Sequence, residues 1–451
     1  MKRLWILVLL FSSLFILTGC GGSGGGSGDD SEDNLSSLAS MNITDAKSVF
    51  ISTSSGAQNS SSMKVAGKSS SNSSTNHLFK INNHDVIEEV SFFDKNHKPI
   101  ALQLNGSKLV PVFLENINDD YIAVGFRYDF DANSAFFYLQ TAILVRKSDG
   151  AIFKLSNIPN CGILNNYYGG YIKTGGLFKT DSAGNIYYIS ESRDEWSDDK
   201  HYHSYPGITK ISVSGSNLTS TIITPSTDTE VNYFDVDDSG NIVYSAWVQL
   251  TSETVIRLRT SSGTYRNVPT YSTVWKEQDG KFHYIYEQDV KMINPNNFES
   301  EIYGSFAEYP SAWADYKVSL QGYTYLMSNG GILEVYNPGA SPRTISLAGI
   351  TFNYIYGVSA TDNYYYIAGK DNSSNCFLIK VTPGGTSYSN ILGNDYQVYA
   401  FAVSESDGIT FNALRTSDMK KVFGKVSING GAVTIIDSES DTQVTFLERI
   451  R

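Results

Sequence analysis

Residues that could support metal or acid–base chemistry are concentrated in one stretch, ESRDEWSDDKHYHSYPG at 191–207. In extended backbone, His201 and His203 would project their imidazoles to the same side. With Asp198 or Asp199 nearby, these side chains could bind a divalent cation. No pattern supplies the outer hydrogen bonds that orient metal ligands, so a solvated insertion is the favoured interpretation. An insertion of this length in a compact domain still points to a function.

Aromatic side chains suited to a contact surface occur in this stretch and in a second one, FAEYPSAWADYK at 306–317. Tyr and Trp at the rim of a domain can stack on sugars or anchor a partner protein. Packing between structural repeats is the alternative for the second stretch. The candidate contact residues are Trp196, Tyr202, Tyr309, Trp313 and Tyr316.

No catalytic motif is recognisable in the chain, since GxSxG, P-loop and HExxH patterns are all missing. The segment DVDDSGN from Asp235 is similar to the start of a calcium loop, but Ala246 stands where the bidentate Glu is required. A hairpin turn explains this segment better. We therefore predict no catalytic residues and no cofactor beyond the possible divalent metal at 191–207.

The N-terminus has the layout of an export signal, with a basic start and an apolar run from Leu4 to Leu17. This run of 14 residues is shorter than the roughly 20 that span a bilayer. Leu17-Thr18-Gly19-Cys20 resembles the lipobox of bacterial lipoproteins. The resemblance implies cleavage after residue 19, lipid on Cys20, and attachment to a membrane of the cell envelope. Gly21 is compatible with the outer membrane if the source has two membranes.

Composition divides the rest of the chain into a linker and a folded part. Residues 20–77 are rich in Ser, Gly and Asn, so we predict a disordered tether, with the folded domain at 78–451. The net charge of −12 argues against nucleic acid as a partner. Cys161 and Cys376 are expected to be small buried side chains, with a disulfide as the alternative.

The folded part is built from repeats. DSAGNIYYIS from Asp181 and DDSGNIVYSA from Asp237 share the pattern D-x-x-G-N-I-x-Y, in which a Gly-Asn turn joins two apolar strands. Each is followed by a second strand pair, and weaker copies recur at intervals of about 40 to 60 residues. This predicts an all-β fold, a β-propeller of about seven four-stranded blades. The alternatives are six or eight blades, or a pair of two-sheet sandwiches.

The two strongest units resemble NHL-type propeller repeats, but the others depart from that pattern, so the resemblance implies the fold and no particular activity. To close the ring, strands near Leu78 and Val86 are expected to complete the last blade beside 433–437, with 444–450 as a further candidate. The favoured function is a non-catalytic binding or scaffold module for an envelope protein or glycan. The alternative is a glycan lyase or hydrolase with its site at the propeller axis, which requires charged side chains from several blades to converge there.

Overall fold

A computed structural model describes residues 37–54, 75–104, 106–128, 141–154, 178–195, 202–214, 217–225, 227–248, 250–268, 274–277, 279–308, 316–328, 331–337, 339–384, 387–437 and 443–449. These residues contain no α-helix, and thus no helix long and apolar enough to cross a membrane. They form antiparallel sheets, eight of which contain a run of four strands in blade order. The protein is a β-propeller, and its described residues form eight blades, which is one of the alternatives to the seven favoured from the sequence.

Blades 1 to 4 each contain four strands, named in order from the axis outward. Blade 1 consists of β36 (Gln443–Arg449), β2 (Ala46–Ser54), β3 (Thr75–Asn82) and β4 (Ile87–Glu89). Blade 2 consists of β8 (Ser107–Asn116), β9 (Tyr121–Tyr128), β10 (Thr141–Arg146) and β11 (Ile152–Lys154). Blade 3 consists of β12 (Phe178–Thr180), β13 (Ile186–Glu195), β14 (Tyr202–Ser214) and β15 (Asn217–Ile222). Blade 4 consists of β16 (Asp228–Val236), β17 (Ile242–Val248), β18 (Glu253–Arg259) and β19 (Tyr265–Val268).

Blades 5 to 8 repeat this order along the chain. Blade 5 consists of β20 (Val274–Lys276), β21 (Phe282–Tyr286), β22 (Asp289–Ile293) and β23 (Ser300–Ser305). Blade 6 consists of β24 (Tyr316–Leu320), β25 (Tyr323–Ser328), β26 (Gly331–Tyr336) and β27 (Arg343–Ile345). Blade 7 consists of β28 (Phe352–Ala360), β29 (Tyr365–Asp371), β30 (Cys376–Val381) and β31 (Tyr388–Asn390). Blade 8 consists of β32 (Tyr396–Ser404), β33 (Gly408–Arg415), β34 (Lys420–Val426) and β35 (Thr434–Asp437).

Four short strands lie outside this pattern. A small sheet of β1 (Leu38–Met41), β5 (Phe92–Asp94) and β6 (Pro99–Ile100) adjoins blade 2 through a bridge between Ser40 and Ala151. The remaining strand, β7 (Gln103–Leu104), pairs with β8. The small sheet therefore covers the outer edge of blade 2, where unpaired backbone groups would otherwise be exposed.

The ring is closed by strands from both ends of the folded domain. In blade 1 the C-terminal β36 pairs with β2, with Phe50 opposite Leu447. The Phe50 ring lies 5.4 Å from Phe79 of the same blade and 4.9 Å from Phe423 of blade 8. Strands β3 and β4 therefore belong to a separate blade and do not join 434–437, which corrects the closure expected from the sequence. The 444–450 segment, also expected beside 433–437, instead forms β36 and pairs with β2 in blade 1.

The folded domain begins earlier than the composition predicts. Val49, Phe50 and Ile51 of β2 have no exposed surface, although they lie within the range 20–77 predicted to be a disordered tether. Ser- and Gly-rich neighbours hide this short apolar run in a composition average, but burying a side chain of this size contributes about 1.5–3 kcal/mol. The folded domain thus includes β1 and β2.

The D-x-x-G-N pattern is a turn held by its own aspartate. Asp237 Oδ1 accepts hydrogen bonds from the backbone N–H groups of Ser239 and Asn241, and its Oδ2 accepts from Asn241 Nδ2. Asp181 makes the same bonds in blade 3. Gly240 has a φ of 77°, which glycine adopts without strain. The hairpin interpretation of the DVDDSGN segment is confirmed, because its turn carboxylate is already occupied.

Candidate functional site

The two ends of the propeller differ in the length of their connections. Turns between first and second strands and between third and fourth strands lie on one face, called face A; the other connections lie on the opposite face, called face B. Turns on face A have two to seven residues, whereas the strand ends joined by the longer connections 55–74, 129–140, 155–177, 196–201 and 306–315 lie on face B. Long connections on a rigid scaffold commonly carry binding residues, so face B is the candidate functional face.

Most of the 191–207 stretch is a strand pair and not a loop. Strands β13 and β14 extend beyond the body of blade 3, with Asp194 opposite His203 and Glu195 opposite Tyr202 at the tip on face B. Within the described ranges, no group of three His, Cys, Asp or Glu side chains is placed to hold a metal ion. The metal site stays a prediction, because Asp199 and His201 lie outside the residues that the structure describes. The candidate contact residue Trp196 lies outside them as well.

The second aromatic stretch joins blade 5 to blade 6 on face B. Its last candidate, Tyr316, is only 4% exposed and packs in the core shared by blades 6 and 7. The Tyr316 hydroxyl donates a hydrogen bond of 3.1 Å to the carbonyl oxygen of Tyr356. Tyr316 is therefore an interblade core residue and not an exposed contact. Tyr309 and Trp313 lie outside the described residues.

Tyr356, whose carbonyl oxygen accepts the Tyr316 hydrogen bond, belongs to a group of tyrosine and amide residues on the first strands of blades 7 and 8. Strand β28 has register shifts between Phe352 and Tyr354 and between Ile355 and Gly357, and β32 has one between Val398 and Ala400. Such bulges leave an extra residue unpaired and redirect its side chain. The residues skipped by the pairing are Asn353, Tyr356 and Tyr399.

These residues form a cluster near face B, which we call the tyrosine sector: Asn353, Tyr354, Tyr356, Gln397 and Tyr399. The Tyr354 side chain is 49% exposed. Its ring centroid lies 5.0 Å from that of Tyr356, which lies 6.1 Å from Tyr399. Gln397 Nε2 donates to the Tyr356 hydroxyl at 3.0 Å and fixes the position of that ring. The sector therefore presents aromatic faces and amide groups together.

Five charged side chains of the other first strands interact electrostatically around the axis. These residues form the charged sector: Glu115, Lys179, Asp235, Lys317 and Glu448. Lys317 Nζ of blade 6 lies 2.7 Å from Asp235 Oδ2 of blade 4. Burial disfavours ionisation of Asp235, but Lys317 and Lys179 outweigh it and lower its pKa to about 2. Asp235 is therefore held as a carboxylate at neutral pH.

Carboxylates of the charged sector also connect successive blades. Asp235 accepts a hydrogen bond of 2.8 Å from the backbone N–H of Lys276 in the next blade. Glu115 accepts one of 3.0 Å from the backbone N–H of Phe178, again in the next blade. First strands of neighbouring blades share no ladder, so these bonds tie them together around the axis.

Glu448, on the closing strand β36, differs from the other carboxylates. Burial, reinforced by the neighbouring Glu115, raises the pKa of Glu448 to about 8, although the Asn116 backbone N–H and Lys147 oppose the shift. Its side chain retains partial solvent access, but protein surrounds it closely enough to disfavour the charge. Glu448 is therefore largely protonated at neutral pH.

The charged sector makes stability depend on pH in a defined direction. Unfolded Glu448 ionises near its ordinary pKa of 4.5, while the folded carboxyl stays protonated until about pH 8. We therefore expect stability to fall between these values by up to about 1.4 kcal/mol per pH unit, and then to level off.

Urea unfolding of the wild type and of Glu448→Gln from pH 5 to 9 measures this dependence. The variant should lose the slope, whereas Glu253→Gln, at an exposed position, should keep it. Equal slopes in wild type and Glu448→Gln would contradict the assignment.

Sequence reasoning missed both sectors. One signal was available, because Lys179 and Asp235 each stand two residues before the Asp that begins one of the two strongest repeats. A charge at the same position of two repeated strands indicates a shared environment. The tyrosine sector left no comparable signal, since it depends on bulges that pairing alone reveals.

The fold and the two sectors define an all-β protein, an eight-bladed propeller with a charged and an uncharged part of its axis. No protein-family model and no curated protein matches the chain. Among solved structures it is similar to a chain of a nidogen/laminin complex, with 8% identity over 54% of this chain and 94% of that chain and a TM-score of 0.29. It is also similar to a protein from Lactobacillus plantarum, with 7% identity over 89% and 98% and a TM-score of 0.36.

A third similar structure is a puromycin-hydrolysing peptidase from Mycobacterium tuberculosis. The identity is 11%, the match covers 74% of this chain and 53% of that chain, and the TM-score is 0.40. At such identities a similarity bears on the fold alone, and the propeller assignment stands on the sheet arrangement itself.

Proposed function

We propose that this protein is an exported lipoprotein whose propeller binds a component of the cell envelope through face B. The observation that carries the proposal is the tyrosine sector, a partly exposed aromatic cluster on bulged strands near the face with the long connections. Tyr is enriched at binding surfaces because its ring offers a large contact area and its hydroxyl a hydrogen bond.

The anchor rests on the N-terminal sequence. The basic start, short apolar run and Leu17–Cys20 lipobox together favour lipid attachment at Cys20. Strand β1 begins at Leu38, 18 residues after Cys20, so the propeller lies within about 60 Å of the bilayer surface even at full extension. Two acyl chains give stable membrane attachment. The outer membrane is the proposed location where the source has two membranes.

A second candidate function is favoured by the charged sector. A protonated carboxyl, Glu448, near the buried Glu115 is the combination that an acid–base enzyme acting on glycans would use. Charged side chains from several blades do converge at the axis, as the enzyme hypothesis requires. Against it, the carboxylates of Glu115 and Asp235 are engaged with backbone N–H groups of the next blade. We rank the enzyme second for this reason.

Replacing Cys20 by Ala should release the protein from the membrane. The variant lacks the thiol that carries the lipid, so it should carry no acyl chain and appear in the soluble fraction after expression in the source organism. Mass spectrometry of the wild-type N-terminus should show an acylated cysteine. Cys376→Ala is the matched control, because this thiol is buried in the propeller and the variant should stay with the membranes. Wild-type protein with an unmodified Cys20 would contradict the anchor.

Binding through face B is tested with the soluble Cys20→Ala chain and envelopes of the source organism. The chain should sediment with envelopes in a saturable manner, and Tyr354→Ala should weaken sedimentation. Glu448→Gln should leave sedimentation intact, since Glu448 belongs to the charged sector and not to the tyrosine sector. The enzyme hypothesis is supported only if the wild type cleaves envelope polysaccharide and the Glu448→Gln variant does not.

A further inference from the structure

The eight first strands divide the axis into two parts of different charge. Strands β28 and β32, FNYIYGVSA and YQVYAFAVS, contain no Asp, Glu, Lys, Arg or His. Each of the other six first strands contains at least one charged residue. Among the first strands that the structure describes, the tyrosine sector thus belongs to the two without charge, side by side in blades 7 and 8.

This distribution restricts the ligand. Lys370, opposite Tyr354 on the second strand of blade 7, is a charged side chain beside the sector. A bound cation would therefore meet a like charge, and a bound anion would have one half-buried lysine to compensate for the water it loses, which is costly. A stable protein partner needs about 800 Å² on each side, much more than three phenol rings supply. A neutral ligand with both apolar and hydroxyl surfaces meets neither difficulty.

Sugar rings have such surfaces. Their C–H faces pack on aromatic rings, and their hydroxyls both donate to and accept from amide side chains. Tyr354 supplies a half-exposed ring, Tyr356 and Tyr399 supply two more at 5.0 and 6.1 Å spacings, and Asn353 is an exposed amide. Gln397 holds the Tyr356 hydroxyl in place before a ligand arrives, which lowers the ordering cost of binding.

We propose that the tyrosine sector is a binding site for a neutral glycan, with Tyr354 as the main stacking platform. The inference rests on the proposed function, since it names the component that face B binds. Tyr356 and Tyr399 flank the platform and extend it along two strands, so the site suits an oligosaccharide better than a single sugar.

Calorimetric titration of the full mature protein, in a detergent without a sugar headgroup, tests the site. The probes are cellohexaose, chitohexaose, maltohexaose, laminarihexaose and the neutral polysaccharide extracted from envelopes of the source organism. At least one should bind saturably, and Tyr354→Ala should weaken that binding tenfold or more. Tyr354→Phe should retain most of it, because the stacking ring is preserved.

Tyr286→Ala is the matched control, since Tyr286 is 37% exposed at the face B end of the second strand of blade 5, away from the tyrosine sector. It should bind like the wild type. A homogalacturonan hexamer, which carries several carboxylates against the single Lys370, should bind more weakly than the best neutral probe, and tighter binding would overturn the inference. The inference is overturned if no neutral probe binds, or if Tyr354→Ala binds as well as the wild type.

The result separates the inference from the proposed function on which it rests. If no neutral probe binds but the Cys20→Ala chain still sediments with envelopes in a Tyr354-dependent manner, face B binds another class of partner and only the glycan inference fails. If sedimentation is also lost or independent of Tyr354, both fail.

Discussion

A chain that ends at Asp437 should not fold cooperatively. The deletion removes β36, the first strand of blade 1, and leaves the backbone of β2 without its partner from Ser48 to Thr53. It also exposes the core around Phe50, to which Val444 and Leu447 contribute. Each of these two side chains stabilises the fold by about 1.5–3 kcal/mol, and the whole domain is stable by only about 5–15 kcal/mol.

Near-ultraviolet circular dichroism and urea unfolding measure this effect. A chain lacking only residues 450 and 451 should unfold like the wild type, because β36 is intact. Adding a synthetic peptide of residues 441–451 to the truncated chain should restore the native signal. A truncated chain with a wild-type unfolding midpoint would show that the ring does not depend on the strand that closes it.

Asp228→Ala should destabilise the folded protein by about 3–5 kcal/mol. Asp228 lies at the start of β16, where Arg257 Nη1 is 2.5 Å from its Oδ1 and the Tyr244 hydroxyl donates to its Oδ2 at 2.7 Å. The Arg257 and Asp228 side chains are 4% and 0% exposed. Without the carboxylate, the guanidinium stays buried and uncompensated.

Chemical unfolding of a matched pair of variants tests this prediction. Arg146 and Asp149 form an ion pair of nearly the same length, 2.6 Å, but their side chains are 36% and 50% exposed. Asp149→Ala should therefore cost less than about 1 kcal/mol. The double variant Asp228→Leu, Arg257→Met should be more stable than Asp228→Ala alone, because it removes both charges. Equal losses for the two single alanine variants would contradict the role of burial.

The strand pairs of the middle blades could be predicted because their signals are local. Asp237 and Gly240 lie within one turn, and a five-residue window reports both the hairpin and its two strands. Blade 1 lacked such a signal. Its strands come from residues 46–89 and 443–449, and pairing across this separation leaves no repeat in either segment.

The charged sector could not be predicted from the sequence for a related reason. A propeller axis receives one strand from each blade, so Glu115, Asp235 and Glu448 meet only when the ring closes. Their spacing in the chain is set by blade length, so it gives no indication of a shared chemical role. Tyr316 illustrates the opposite error. Its aromatic neighbours in sequence predicted an exposed contact surface, but its position on a first strand buries it between two blades.

The central claim is that face B, at the tyrosine sector, meets the protein's ligand in the cell envelope. Hydroxyl-radical footprinting of the lipidated protein in native envelopes, compared with the purified protein in detergent, tests it directly, since tyrosine rings are readily oxidised. We expect oxidation of Tyr354 and Tyr399 to fall several-fold in the envelope, with Tyr265 of the outer strand of blade 4 unchanged. Equal oxidation of Tyr354 in both samples would contradict the claim.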